Sequence, residues 1–409
     1  MSGSGDRIAS LASSFLSVRE STPVHELLSS LKEPHEHAIA VLDCDSRVLG
    51  IILPQALVEL LGKPFGRDLL MRERVENIMV PVVCFPKDEY IQEVRERLGG
   101  SLELETTSHW VLVERDGRFF GHISSRDILI HAMKRHQYDM ETAARIQGRF
   151  VPPSFAAGDK SVAILASSVM AQGVGGDYYF VREYAPGRWF FCLCDISGKG
   201  IAAALVTAVL SGFLETAPLD TGLSSLIQKL NALILGAFTL EKYLTGVFAR
   251  FDARSGRLEY CDMGHALFYT VEDGQLRRVS EVADNVPTGL VESLSPQIRS
   301  IPVLPGSLFV ILSDGLCEQS DREGAIFDLS TVGRCLADAM APAAARGQGS
   351  CDRLLRAKIR LLEAFWTFKR DMPQHDDVSM LFFSFAAYKG LSSAGSPVSS
   401  ATVPEGCAG

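Results

Sequence analysis

Residues 189–200, WFFCLCDISGKG, run from an unbroken apolar stretch, Trp189 to Cys194, straight into Asp195 and then into a glycine-rich turn. An apolar run of this length bounded by glycine reads as a buried strand. A carboxylate at the end of such a strand is costly unless it is paired or bound to a cation. The same half of the chain repeats the design in VMAQGVGGDYYF (169–180) with Asp177 and in SLFVILSDGLCE (307–318) with Asp314. In QHDDVSMLFFSF (374–385), Asp376 and Asp377 lead into the strand instead. Each segment alone is ordinary turn punctuation. Together they place carboxylates at strand ends with no basic residue adjacent to any of them. Hard oxygen donors without cysteine, and with histidine only at the margins, suit magnesium or manganese better than zinc or copper.

The surrounding residues fit such a site. Gly175 and Gly176 let the backbone approach closely, and Ser197–Gly200 opens a helix whose first N–H groups face the same end. Ser197 and Lys199 are candidate phosphate contacts, with a solvated lysine as the plain alternative for Lys199. His265, in Met263-Gly264-His265, reads either as a satisfied structural histidine or as a proton donor. His375 reads as a neighbour of the site.

Working outward, residues 160–387 alternate apolar strands with helical segments near 200–214, 222–238 and 349–368. Beyond 387 the Ser/Gly/Ala/Pro-rich stretch 388–409 is expected to be disordered. Residues 1–136 read as two copies of one unit: helix, strand, Asp/Gly-type turn, strand, helix. The first copy contains AIAVLDCDSRVLGIIL (38–53) and the second HWVLVERDGRFFGHIS (109–124). Each is a hairpin by turn chemistry, and two units this short are expected to pack on one another. Residues 128–150 have helical composition, with Leu129, Met133, Met140 and Ala144 as a possible stripe; 137–158 is expected to be a helical linker or switch segment, ended by Pro152-Pro153. Pro34-His35-Glu36-His37 resembles a metal tag but has no third ligand in view and is discounted.

Composition bounds the rest. The chain has 409 residues, 47% apolar and 22% charged, enough for two or three globular domains. A net charge of -9 argues against nucleic acid as the main partner. Nine cysteines with no C-x-x-C fit free thiols in a reducing compartment. No window reaches the ~18 apolar residues of a membrane span, and the start lacks a secretory signal. The expectation is a cytoplasmic protein without a membrane partner.

The repeats resemble a pair of cystathionine-β-synthase (CBS) domains, carried by RVENIMVPVVCFPKDEYIQEV (74–94) and GHISSRDIL (121–129). The family's ribose-recognising pattern Gly-x-x-Ser/Thr-x-x-Asp is met by Gly121, Ser124 and Asp127. This implies an adenine nucleotide site, while the same spacing also suits a plain N-cap with an acidic N3. In the first repeat Leu53 and Ala56 replace both polar positions, so one site would be degraded.

Residues 141–386 resemble the SpoIIE-type branch of the metal-dependent protein phosphatases, the protein phosphatase 2C superfamily. In the family's order come ARIQGRFVP, VGGDYY, CDISGKGIAAAL, YCDMGHALFY, VPTGL, LFVILSDGLCEQ and DDVSMLFF. The resemblance implies an α+β chain: a CBS pair (Bateman module) at 1–136, then at 159–387 an α/β sandwich of two antiparallel sheets flanked by helices. It implies two Mn2+ or Mg2+ ions held by Asp177, Asp195 (bridging), Asp314 and Asp376, with the Ile196 carbonyl and Asp377 as further ligands. It also implies hydrolysis of phosphoserine or phosphothreonine on a regulatory protein, typically a STAS-type anti-anti-sigma factor of a partner-switching pathway; control by the CBS pair and a homodimer, with the 128–150 helix at its seam, are further expectations. Departures are the missing phosphate-clamping arginine and the missing helix-opening histidine, which leave the general acid open. The alternative is a catalytically silent CBS-linked scaffold.

Overall fold

The structure, a computed structural model, describes residues 7–30, 38–62, 72–98, 108–159, 161–272, 275–279, 285–340 and 350–386. The stretch expected to be disordered (388–409) and Pro34–His37 lie outside them. The chain divides into two compact units, Met1–Tyr138 and Asp139–Gly409.

The first unit is built twice from one plan. Strands β1 (Ser17–Arg19), β2 (Ile39–Leu42) and β3 (Val48–Ile52) form one sheet, and β4 (Cys84–Pro86), β5 (His109–Val113) and β6 (Phe119–Ser124) form another. In each, the first pair is parallel and the second is an antiparallel hairpin with its register shift at the matching place, Val41/Leu42 and Leu112/Val113. The hairpin turns obey the residues that make them. Asp43 Oδ1 accepts from the N–H groups of Asp45 and Arg47, and Gly117 supplies the left-handed position at φ 84°. The leading strands β1 and β4, three residues each, are too short to show a period in sequence. Helices α1 (Val24–Ser30), α2 (Pro54–Gly62) and α3 (Ile91–Leu98) complete the repeats.

The two repeats exchange pieces. Ile8, ahead of the first, is buried with Phe85, Ile91 and Leu112 of the second, while Val75, ahead of the second, is buried with Ile39, Val41 and Ile52 of the first. A third cluster, Ala38, Ile51 and Val111 with Leu53 packed against it, joins them.

Helix α4 (Ser125–Gln147) starts from β6 and runs without a break past position 136. Its middle is exposed, with Met133 71% and Tyr138 62% accessible. Among the described residues no helix is long and apolar enough to cross a membrane.

The second unit is a four-layer sandwich. One sheet has the order β15-β12-β11-β10-β9, from β9 (Tyr178–Ala185), β10 (Arg188–Ile196), β11 (Leu244–Asp252), β12 (Arg257–Asp262) and β15 (Arg299–Pro302). The other has the order β14-β13-β16-β17-β8-β7, from β7 (Ser154–Gly158), β8 (Val162–Val169), β13 (Phe268–Glu272), β14 (Gln275–Arg278), β16 (Leu308–Leu312) and β17 (Val378–Phe385). Every pairing in both sheets is antiparallel. Helices α5 (Ile201–Thr216) and α6 (Leu223–Phe238) cover the first sheet; α8 (Leu329–Met340) and α9 (Ser350–Lys369) cover the second; α7 (Asp314–Cys317) is a single turn after β16.

The layers explain the unbroken apolar strands. Leu381, Phe383 and Phe385 of β17 point into the core between the sheets, whereas Val378, Met380 and Phe382 point into the core under α8 and α9. A strand covered on both faces loses polar alternation but keeps its period of two. β7 makes residues 154–158, read from sequence as linker, part of the second sheet. α8 was not read from sequence: its apolar Leu329, Val332 and Leu336 have helical spacing, but Gly333 interrupts them.

Candidate metal centre

Register brings the carboxylates to one end of the sandwich. Tyr178 at the start of β9 pairs with Cys194 near the end of β10, so Asp177 and Asp195 adjoin. Leu312 at the end of β16 pairs with Met380 near the start of β17, so Asp314 and Asp376–Asp377 adjoin in the facing sheet. Their mutual electrostatics follow. Asp177 is 2% exposed, and burial, then the charges of Asp195 and Asp377, hold its carboxyl well above the usual range. Its Oδ2 is buried with no hydrogen-bond partner. Burial, then Asp314, Asp376 and Asp377, push Asp195 up to about 7 against a pull from Lys199. Asp314 is raised by burial and then by Asp376.

Asp377 is differently employed. Its Oδ1 accepts the Ala171 N–H at 2.8 Å and its Oδ2 the Gly176 N–H at 2.7 Å, which ties the Gly-Gly-Asp loop to the start of β17. The loop needs its glycines: a Cβ on Gly175 would lie 1.9 Å from Asp377 Oδ2, and one on Gly176 2.7 Å from the Ile196 carbonyl.

The turn after β10 closes another side. Ser197 Oγ accepts the Tyr243 N–H at 3.1 Å, and Lys242 Nζ donates to the Ser197 carbonyl at 2.7 Å. Gly198 and Gly200 carry φ of 82° and 76°, which aims Lys199 across at Asp376 Oδ2 (2.8 Å) and the His375 carbonyl (2.6 Å). That contact raises the Lys199 pKa. A cavity of about 270 Å³ lies between, lined by Asp195, Ser197, Tyr243, Thr245, His265 and Asp314 among others. His265 is buried. Its Nε2 lies 2.7 Å from the Leu312 carbonyl, which can only accept, so Nε2 carries the proton. Burial lowers its pKa and keeps it neutral, which favours the structural reading.

Among the described residues no three His, Cys, Asp or Glu side chains converge as a closed metal cage. The carboxylates share an electric field rather than a coordination sphere. The donor set still suits a hard divalent cation on two observations: the orphaned, buried Asp177 Oδ2, and a group of carboxylates whose one ion pair among the described residues, Lys199–Asp376, is partly exposed.

In the first unit Ser124 and Asp127 meet each other. Ser124 Oγ donates to Asp127 Oδ2 at 2.7 Å, the Ser124 N–H donates to the same oxygen at 2.8 Å, and Ser13 Oγ adds a third donor at 2.7 Å. This is a capping box at the start of α4. Gln147, which the sequence reading passed over, has its side chain against the Gly-Gly-Asp loop.

A two-sheet antiparallel sandwich with outer helices and aspartates gathered at one end is a PP2C-like fold. Residues 185–386 match the family described as Stage II sporulation protein E (SpoIIE), and residues 8–63 match the CBS domain, so the chain carries a SpoIIE/PP2C domain behind an N-terminal CBS domain. A curated relative, Phosphoserine phosphatase RsbP of Bacillus subtilis (strain 168), is 23% identical over 151 residues, 36% of this chain and 37% of that protein. The chain thus spans about a third of that relative's length. Among solved structures, the SiaA-PP2C domain of Pseudomonas aeruginosa is similar with a TM-score of 0.50 at 18% identity, covering 62% of this chain and 98% of that one. The RsbU and RsbW domains of Rv1364c from Mycobacterium tuberculosis follow with a TM-score of 0.47 at 21% identity, covering 58% of this chain and 62% of that one.

Proposed function

We propose that this chain is a metal-dependent serine/threonine protein phosphatase. The observation that carries the reading is the buried, unpartnered Asp177 Oδ2 beside Asp195, whose carboxyl is pushed up to about 7 by the carboxylates around it. Asp177, Asp195, Asp314 and Asp376 would hold two Mn2+ or Mg2+ ions, with the Ile196 carbonyl as a further donor. When bound, such ions neutralise charge on the phosphoryl group and lower the pKa of water. The chain's own contribution is positional. Asp377 holds the Gly-Gly-Asp loop, the Ser197–Gly200 turn with the α5 N-terminus receives phosphate oxygens, and Lys199 exchanges Asp376 for phosphate as substrate enters.

The substrate in this reading is phosphoserine or phosphothreonine on a small regulatory protein, a STAS-type anti-anti-sigma factor; the phosphoserine part is supported by the likeness to RsbP, named a phosphoserine phosphatase. The first unit is read as a tandem CBS regulator of residues 1–136, with α4 at a homodimer seam. An adenine nucleotide would have to displace Ser13 from Asp127 to share Ser124 and Asp127. Regulation requires that the ligand bind two states of the chain with different affinity. ATP and AMP that neither bind nor change turnover would remove the nucleotide from this account.

The deciding experiment is hydrolysis of p-nitrophenyl phosphate with Mn2+, against EDTA and against Asp314→Asn. Metal-dependent turnover that falls by two or more orders of magnitude in the variant is expected, on the scale of losing a group that stabilises transition-state charge (~10²–10³). A second reading, a silent CBS-linked scaffold, draws support from the absence of a closed cage among the described residues. It predicts partner binding with no turnover under any metal.

A further inference from the structure

Gln319 follows α7 and has no exposed surface, although its side chain is an amide. Its Nε2 donates to the Pro373 carbonyl at 3.2 Å and to the Ser320 carbonyl at 2.9 Å, and its Oε1 accepts the His375 N–H at 3.2 Å. The amide therefore meets one acceptor and one donor of a single strap, residues 373–375, as a neighbouring strand would. Lys199 holds the His375 carbonyl of the same strap from another side. The strap leads directly into Asp376, and Gln319 stands shortly after Asp314. One buried side chain thus ties the segment that follows Asp314 to the segment that precedes Asp376.

The sheet alone does not fix these two carboxylates. The ladder between β16 and β17 runs from Leu308–Ser384 to Leu312–Met380. Ser313 extends it by one step, giving its N–H to the Ser379 carbonyl and accepting the Ser379 N–H on its hydroxyl. Asp314 and Asp376 lie beyond that end, and like charges at such a place push apart unless their backbones are tied. Burying an amide brings little net stability even when it is fully bonded, and an apolar side chain of the same length would fill the space without desolvation. What the amide adds is a fixed distance. We propose that Gln319 is a positioning residue of the metal centre: by tying the strap 373–375 to the turn after β16, it sets the separation of Asp314 and Asp376 and so the size of cation they accept. The inference rests on the reading of these two aspartates as cation ligands. A fixed separation favours Mg2+, small and strict in geometry, over Ca2+, which takes longer bonds in variable arrangements.

The test uses the full-length protein, with Mn2+ titrated calorimetrically, Mg2+ and Ca2+ added as competitors, and thermal melts recorded in EDTA. Gln319→Met keeps length and burial but removes the donors and the acceptor. It is expected to weaken Mn2+ binding by about tenfold or more, the scale seen when an outer partner of a ligand is lost, and to shift competition from Mg2+ towards Ca2+. Phe365→Leu, in the core under α9, lowers the melting temperature and leaves both readouts at the wild-type value. Equal Mn2+ affinity in Gln319→Met and wild type overturns the proposal, whatever the melt shows. So does a loss of Mn2+ affinity with an unchanged Mg2+ to Ca2+ ratio; where neither ion competes, the Mn2+ affinity decides alone. Should Gln319→Met not fold, amide exchange in the wild type decides: a His375 N–H that exchanges at open-loop rates refutes the tie, and strand-like protection upholds it. Wild-type protein that binds no Mn2+ defeats the phosphatase reading instead, and His375 exchange still judges the tie.

Discussion

Asp195 follows an apolar run, Trp189 to Cys194, near the end of its strand, and its carboxyl is pushed up to about 7 because burial and neighbouring carboxylates all penalise its charge. Asp177 and Asp314 are shifted the same way. A carboxyl raised above its ordinary 3.8 binds more protons in the folded chain than in the unfolded one, so it stabilises the fold at low pH. That contribution is complete below the unfolded value and is lost as pH rises through the folded one. In EDTA the melting temperature should therefore fall between about pH 4 and pH 7, and on the proposed reading Mn2+ should restore it most at the upper end, where the carboxylates are ionised. A melting temperature in EDTA that rises steadily over that window would show that the carboxylates are not crowded as described. These aspartates were legible in sequence because an ionisable residue at the end of an apolar strand is conspicuous. Gln147 was not, since its meaning lies in Gly175, a residue distant along the chain, and glutamine in a polar helix attracts no notice.

At the scale of elements, the Gly-Gly-Asp loop is the tightest joint in the site. A methyl group on Gly175 would meet Asp377 Oδ2, and one on Gly315 would lie 2.1 Å from the Asp377 carbonyl, which is backbone and cannot swing aside. Gly175→Ala and Gly315→Ala are each expected to lower the melting temperature and weaken Mn2+ binding, whereas Gly212→Ala, on α5 with open space around it, should do neither. Equal melts and equal Mn2+ affinities for all three would contradict the packing. At the other joint, Ser124→Ala removes a cap from α4 and should cost about 1 kcal/mol, read from a denaturant melt. Elements were legible where period and punctuation agree, as in both hairpins, α5 and α6. They were missed where a strand is three residues long, as in β1 and β4, or where a glycine breaks an amphipathic pattern, as in α8.

At the scale of the whole molecule, the sandwich is held at its centre by Phe383. Its ring lies 5.2 Å from Phe191 and 4.8 Å from Phe251 in one sheet, and 5.9 Å from Phe309 in its own, with no exposed surface. Phe383→Ala should cost about 3–5 kcal/mol, since the cavity lies between two sheets that cannot collapse independently. Among the described residues, the buried clusters of each unit are drawn from its own residues. Residues 139–409 produced alone should then fold, melt cooperatively and bind Mn2+, and their turnover of p-nitrophenyl phosphate measures what the first unit does. Higher turnover than the full chain means that residues 1–138 restrain the site; lower turnover with unchanged Mn2+ affinity means that they activate it. Equal turnover would place any regulation in a ligand of the first unit. A fragment that fails to fold would show that the division at Tyr138 cuts through α4 at a point the second unit needs, and that Gln147 is held in place by the whole helix rather than by its last turns.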